Sequence, residues 1–134
     1  MKNKKPTLLV ITASPRKKSN STAAAKQLAA SMSKKYSAEF VDINRLKIKP
    51  CTACEKCADG VDCTVKDGAQ LLIDKVNKAG AVIVASPVYF TGVPAQLKAF
   101  IDRNQVRWYR WNAERGTRIA QLKPGFIVLT TGAD

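Results

Sequence analysis

An α/β fold with a doubly wound parallel sheet is what this sequence predicts, and two observations carry that expectation. Residues 7–13 (TLLVITA), 81–85 (AVIVA) and 126–131 (FIVLTT) are almost continuous in apolar or β-branched side chains, the composition of strands buried on both faces. Stretches of helical periodicity lie between them, and such alternation implies right-handed βαβ crossovers with helices over both faces of the sheet. In chain order, the strand at 7–13 leads to a helix over about 21–35, whose alanines, Leu28 and Met32 supply the apolar face. A shorter, more mixed strand is expected at 38–43. Ala69, Leu72, Ile73 and Val76 then recur at offsets of three and four, which puts one apolar stripe on a second helix. After the strand at 81–85, a third helix starts with Pro94 in its first turn, where a missing N–H is tolerated, and is expected to turn Leu97, Phe100 and Ile101 inward. The run at 126–131 is the fourth strand.

Composition bounds the function. A chain of 134 residues with 46% hydrophobic content makes one domain, 1–134, with a core of its own. Its longest uncharged stretch, 79–97, is interrupted by Pro87, Gly92 and Pro94, and reads as a buried strand entering a loop rather than a membrane span. The opening MKNKK runs into Pro6 and a strand without the apolar region and cleavage site of a leader. A cytoplasmic protein with no membrane association is expected. The net charge of +13, from 23 basic and 10 acidic side chains, attracts anionic ligands or acidic partners without choosing among a phosphate-bearing cofactor, an acidic electron-transfer protein and nucleic acid; an unspecific solvated surface fits it equally. The chain has no histidine. The usual general base and the commonest zinc ligand are therefore missing, and chemistry is expected to belong to a bound cofactor.

Ligands of open parallel sheets sit at the carboxyl ends of the strands, near the reversal in strand order. The loop after the first strand reads SPRKKSNST. There Ser14, Arg16, Ser19, Asn20, Ser21 and Thr22 gather at a helix start, where free N–H groups and the helix dipole favour a phosphate. An ordinary N-cap with a polar turn is the plainer alternative. The loop after the third strand, SPVYFTGVPAQLKAFIDR, joins the rigid Pro87, the aromatic Tyr89 and Gly92, a segment able to set backbone amides and a ring against a flat heteroaromatic ligand. Core packing is the alternative for Tyr89 and, more strongly, for Phe90.

The loop after the second strand carries Cys51, Cys54, Cys57 and Cys63, spaced C-x2-C-x2-C-x5-C. Three thiolates within seven residues wrap a compact object and a fourth closes it, a spacing near that of ferredoxin-type iron–sulfur clusters. Zinc sites more often use two knuckles set further apart, and free or redox-paired thiols are the third possibility. Disulfide staples are disfavoured without an export signal.

In ITASPRKKSNST, SPVYFTGVPAQLKAFIDR and LKPGFIVLTTGAD, which are spread in the right order between residues 11 and 134, the sequence resembles the NAD(P)H-dependent FMN reductase superfamily of flavodoxin-like proteins. The resemblance implies FMN, with its phosphate at Ser14, Arg16, Ser19, Asn20, Ser21 and Thr22. It implies Ser86, Pro87, Val88, Tyr89 and Phe90 at the flavin ring, with Thr131 and Gly132 nearby. The cysteine motif resembles that of the iron–sulfur flavoprotein branch, which implies a 4Fe-4S cluster exchanging single electrons with FMN and a ferredoxin-like, acidic donor. In the cluster-free members that it also resembles, NAD(P)H reduces the flavin directly.

Two features depart from that pattern. A flavodoxin-like sheet has five strands, whereas this sequence stops after the fourth, without the last helix-strand-helix, so either a longer chain or a homo-oligomer is expected to cover the missing face. The stretch 103–118, RNQVRWYRWNAERGTR, interleaves two tryptophans and a tyrosine with arginines. Such mixing suits stacking on nucleic acid or a subunit interface, and the interface is favoured by its position after the helix that flanks the flavin loop.

Overall fold

The computed structural model describes residues 4–114 and 123–132. Its strands are β1 (Thr7–Thr12), β2 (Ser37–Asp42), β3 (Ala81–Pro87) and β4 (Gly125–Thr130), all paired in parallel in the order β2-β1-β3-β4. The helices are α1 (Asn20–Ser31), α2 (Gly68–Lys78), α3 (Ala95–Arg103) and α4 (Gln105–Ala113). This is the flavodoxin-like arrangement, whose switch in strand order falls between β1 and β3.

Alternation along β1 divides the core. Leu8 and Val10 face Ala25 and Ala29 of α1 together with Ile83, while Leu9 and Ile11 face Leu72 and Ile73 of α2 and Leu97 and Phe100 of α3. Two helical layers therefore sandwich a sheet whose strand β1 is buried from Leu8 onward, as the continuous apolar run at 7–13 requires. Each fully buried Leu or Phe of this kind contributes about 1.5–3 kcal/mol. Helix α1 starts where Ser19 caps it, its Oγ accepting from Thr22 N, and ends at Ser31, short of the expected residue 35, because the chain tightens into turns that deliver Tyr36 into the core. Lys123 Nζ donates to the carbonyls of Val76, Asn77 and Ala79 at 2.7–2.9 Å, closing the carboxyl end of α2 beside the entry to β4.

One expectation about α3 is corrected. Ile101 is half exposed rather than inward. The buried stripe of α3 runs through Leu97, Phe100 and Arg103, and a residue one step past Phe100 is turned about 100° off it. The beginning of the aromatic–arginine stretch forms α4, which packs on the turn at Lys56–Asp59; residues 115–118 of that stretch lie outside the described residues. No helix among the described residues is long and apolar enough to cross a membrane.

Candidate functional site

The switch point brings two of the expected ligand loops together. At the end of β1, Ala13 N donates to Ala85 O (2.9 Å), so residues 14–19 leave the sheet directly beside the end of β3. Ser14 Oγ accepts from Arg16 N (3.2 Å) in a tight turn, and Ser14 O is held by Asn44 Nδ2 (3.0 Å). Pro15, Arg16, Lys17, Lys18 and Asn20 are exposed around the start of α1, and Ser19 and Thr22 are partly buried. Ser21 lies completely inside, its Oγ paired with Ser19 Oγ at 2.9 Å. Its hydroxyl braces the cap, and the surface of the loop is formed by the other candidate residues. The first amides of α1 have no intrahelical acceptor, as at any helix start.

At the end of β3, Ser86 is also fully buried, with its Oγ donating to Pro87 O (2.8 Å). Pro87 and Val88 are partly buried, and Val88 N donates to Thr130 O (2.9 Å), which sets the exposed Thr131 and Gly132 next to this loop. Tyr89 and Gly92 exchange both backbone hydrogen bonds (2.8 and 2.9 Å) around Phe90 and Thr91. These two central residues have φ of 46° and 62°, the left-handed pair of a type I′ turn, a position usually left to Asn and Gly. Gly92 follows these two positions, and neither of them is a glycine. Phe90 is 102% exposed, which overturns the core-packing alternative for this ring: the turn holds it away from the domain and above the carboxyl edge of the sheet. Tyr89 is exposed as well.

The cysteines lie on the neighbouring loop between β2 and α2, whose neck is closed three times over. Asp67 caps α2 through Ala69 N (2.9 Å) and also accepts from Lys49 N (2.9 Å). Gly68 sits against Leu46, where a Cβ would stand 2.5 Å from the Leu46 carbonyl oxygen. Arg103, arriving from α3, bonds both sides of the neck. Within the loop, Ala53 and Glu55 adopt left-handed φ of 51° and 57° on either side of Cys54. Such strain is held only where the surroundings over-determine the backbone.

Cys51 and Cys54 are exposed, Cys57 and Cys63 partly buried, and all four are unpaired thiols. All four line one small pocket together with Arg103 and Val106, about 20 Å³ in volume, room for roughly one water. A wider hollow of about 390 Å³ opens beside it, between Cys51, Cys57, Gln105 and Tyr109. A hydrogen bond from Thr64 is the main cause that lowers the Cys54 thiol below its ordinary pKa. Burial raises Cys57, and the neighbouring Cys51, Cys63 and Cys54 raise it further. Among the described residues no three His, Cys, Asp or Glu side chains converge on a point that would hold a single metal ion.

Residues 6–134 match the NADPH-dependent FMN reductase family over nearly the whole sequence. The chain belongs to that family. Among its relatives, an iron–sulfur flavoprotein of Methanocaldococcus jannaschii is 33% identical over 96 residues, covering 71% of this chain and 50% of the relative. An iron–sulfur flavoprotein of Archaeoglobus fulgidus is 41% identical over 97 residues, covering 69% of this chain and 43% of the relative. The chain thus spans about half the length of the curated relatives it matches. A solved flavone reductase superposes with a TM-score of 0.68 at 20% identity, over 96% of this chain and 44% of its own, a likeness of fold.

Sequence reasoning missed Arg103, Asp67 and Asn44. Each acts through backbone atoms distant in sequence, and no motif marks them; the S/T/D/N-before-helix signal finds only the capping half of the role of Asp67.

Proposed function

We propose that this protein is an FMN-dependent oxidoreductase or electron-transfer flavoprotein, with an iron–sulfur cluster on Cys51, Cys54, Cys57 and Cys63 that exchanges single electrons with the flavin. The observation that carries the reading is the adjacency of the 14–22 and 86–92 loops at the switch point of a chain in the FMN reductase family. The donor set suits FMN. Ser14, Ser19, Asn20, Thr22 and Arg16, with the first amides of α1, would hold the phosphate. Pro87, Val88, Tyr89 and Phe90, near Thr131 and Gly132, would face the ring, and the buried Ser21 and Ser86 would brace the two loops from below. When bound, FMN supplies one- and two-electron redox chemistry, which the protein tunes through hydrogen bonds and local charge.

The cluster reading is supported by four thiols in one pocket and by the iron–sulfur flavoprotein relatives. Helix α3 connects the two regions: its first residue follows the 86–94 loop and its last lines the cysteine pocket, a run of about 12 Å at 1.5 Å per residue. Lys47, Lys49, Lys56 and Lys66 are exposed around the cysteine loop, which favours an acidic, ferredoxin-like donor. Unpaired thiols also suit a cytoplasmic setting. In a second reading, favoured by the family and by the exposure of Cys51 and Cys54, NAD(P)H donates hydride directly to FMN and the thiols hold no cluster. Anaerobic absorption spectra before and after reduction, with FMN and iron quantified on the same sample, test the proposal. FMN and iron together support it; FMN without iron supports the second reading; absence of both after reconstitution overturns each.

A further inference from the structure

The side chain of Arg103 is 1% exposed, and a guanidinium so deeply placed is tolerated where its charge and its donors are matched. Nη1 donates to Asp67 Oδ2 (2.8 Å) and to Lys49 O (3.0 Å). Nη2 donates to Val65 O (2.7 Å) and to Gln70 Oε1 (3.4 Å). Lys49 precedes, and Val65 follows, the segment that bears all four cysteines, so one planar fork holds both ends of that segment on α3. Burial works against the charge of the guanidinium, and Asp67 and Cys63 outweigh it and hold its pKa above the usual value. Nε is buried with no hydrogen-bond partner, and Arg103 lines the same pocket as the four thiols. An ammonium would keep the charge but not the fork, since its donors radiate from a single point.

We propose that Arg103 is the positioning residue of the cysteine site, setting the separation of Cys51 and Cys63 by clamping both ends of their loop to α3 and leaving Nε–H for an anionic group bound between the thiols. The inference rests on the cluster reading above. Arg103→Lys in the full chain keeps a charge opposite Asp67 and removes the two-sided clamp. The double variant Arg103→Gln/Asp67→Asn leaves no unpaired buried charge and, compared with Asp67→Asn alone because Asp67 also holds Lys49 N, serves if the lysine variant does not fold. Two measurements are made on each: hydrogen exchange of residues 50–66 in metal-free protein, then bound iron and visible circular dichroism after anaerobic reconstitution with ferrous iron and sulfide. Exchange faster by about tenfold or more, confined to the loop, with bound iron below half that of wild type and an altered dichroism spectrum, is expected. Wild-type exchange, iron content and dichroism in the folded variant would overturn the proposal. If wild type itself takes up no iron, the cluster reading fails, and the exchange contrast alone decides the clamp: loop-confined acceleration upholds it, unchanged exchange overturns it.

Discussion

Asp67 is the residue on which most of the architecture around the cysteines converges. Burial would raise its carboxyl, but the Arg103 guanidinium and the amides of Lys49 and Ala69 outweigh burial and hold its pKa below the usual value. A carboxylate depressed on folding stabilises the native state above its unfolded value of about 3.9 and loses that contribution as pH falls through the folded value. Asp67→Asn should therefore cost about 3–5 kcal/mol in urea unfolding at neutral pH, as expected when one partner of a buried ion pair is removed. The gap should narrow as pH falls through the folded value, and a gap constant with pH would mean that the pair is not ionic in the native state. Thr91 makes the opposite case. A β-branched residue at φ 62° carries about 1–2 kcal/mol of strain, whereas glycine adds about 0.4–1 kcal/mol of unfolded-state entropy. Thr91→Gly should leave a net gain of up to about 1.6 kcal/mol, read as a small rise in Tm; a fall would show that the turn is not left-handed in solution.

At the scale of elements, the loops rather than the helices and strands carry the proposed chemistry, and their dependence on single ligands is testable. If the thiols hold a cluster, Cys54→Ser should strip iron while leaving FMN bound, because a four-iron cluster depends on its full thiolate set; normal iron content in that variant would contradict the assignment. The strands at β1, β3 and β4 were legible because both faces of a parallel sheet demand unbroken apolar runs, and α2 because Ala69, Leu72, Ile73 and Val76 repeat at helical spacing. The direction of α3 was less so. Its sequence offers Phe100 and Ile101 as equal apolar neighbours, and the choice is made by Arg103, buried by Asp67, a partner 36 residues earlier. Helix α4 was hidden in the same way, since its tryptophans are half exposed and Val106 is its one buried residue, leaving no apolar period to read. Phe90 was misjudged toward the core because hydrophobicity says nothing about a turn whose φ angles carry the ring outward.

The whole molecule presents apolar surface that its described residues leave open. Ile127 and Leu129 on β4 are 74% and 53% exposed, and Trp108 and Trp111 on α4 are half exposed. Apolar area in water costs about 25 cal/mol per Å², and an edge strand of this composition readily pairs with another. The 134-residue chain is accordingly proposed to self-associate, so light scattering across a dilution series should give a mass above that of a monomer at micromolar concentration; a stable monomer would refute this. The same sheet sets up the central claim, that FMN binds at the β1/β3 switch point with its phosphate at the start of α1. The most direct measurement is a fluorescence titration of FMN and of riboflavin against wild type and a Ser14→Ala/Asn20→Ala variant. Wild type should bind FMN more tightly than riboflavin, and the variant should lose affinity for FMN by at least about tenfold, or 1.4 kcal/mol, while riboflavin binding is little changed. Equal loss for both ligands, or no preference for FMN in wild type, would contradict the account.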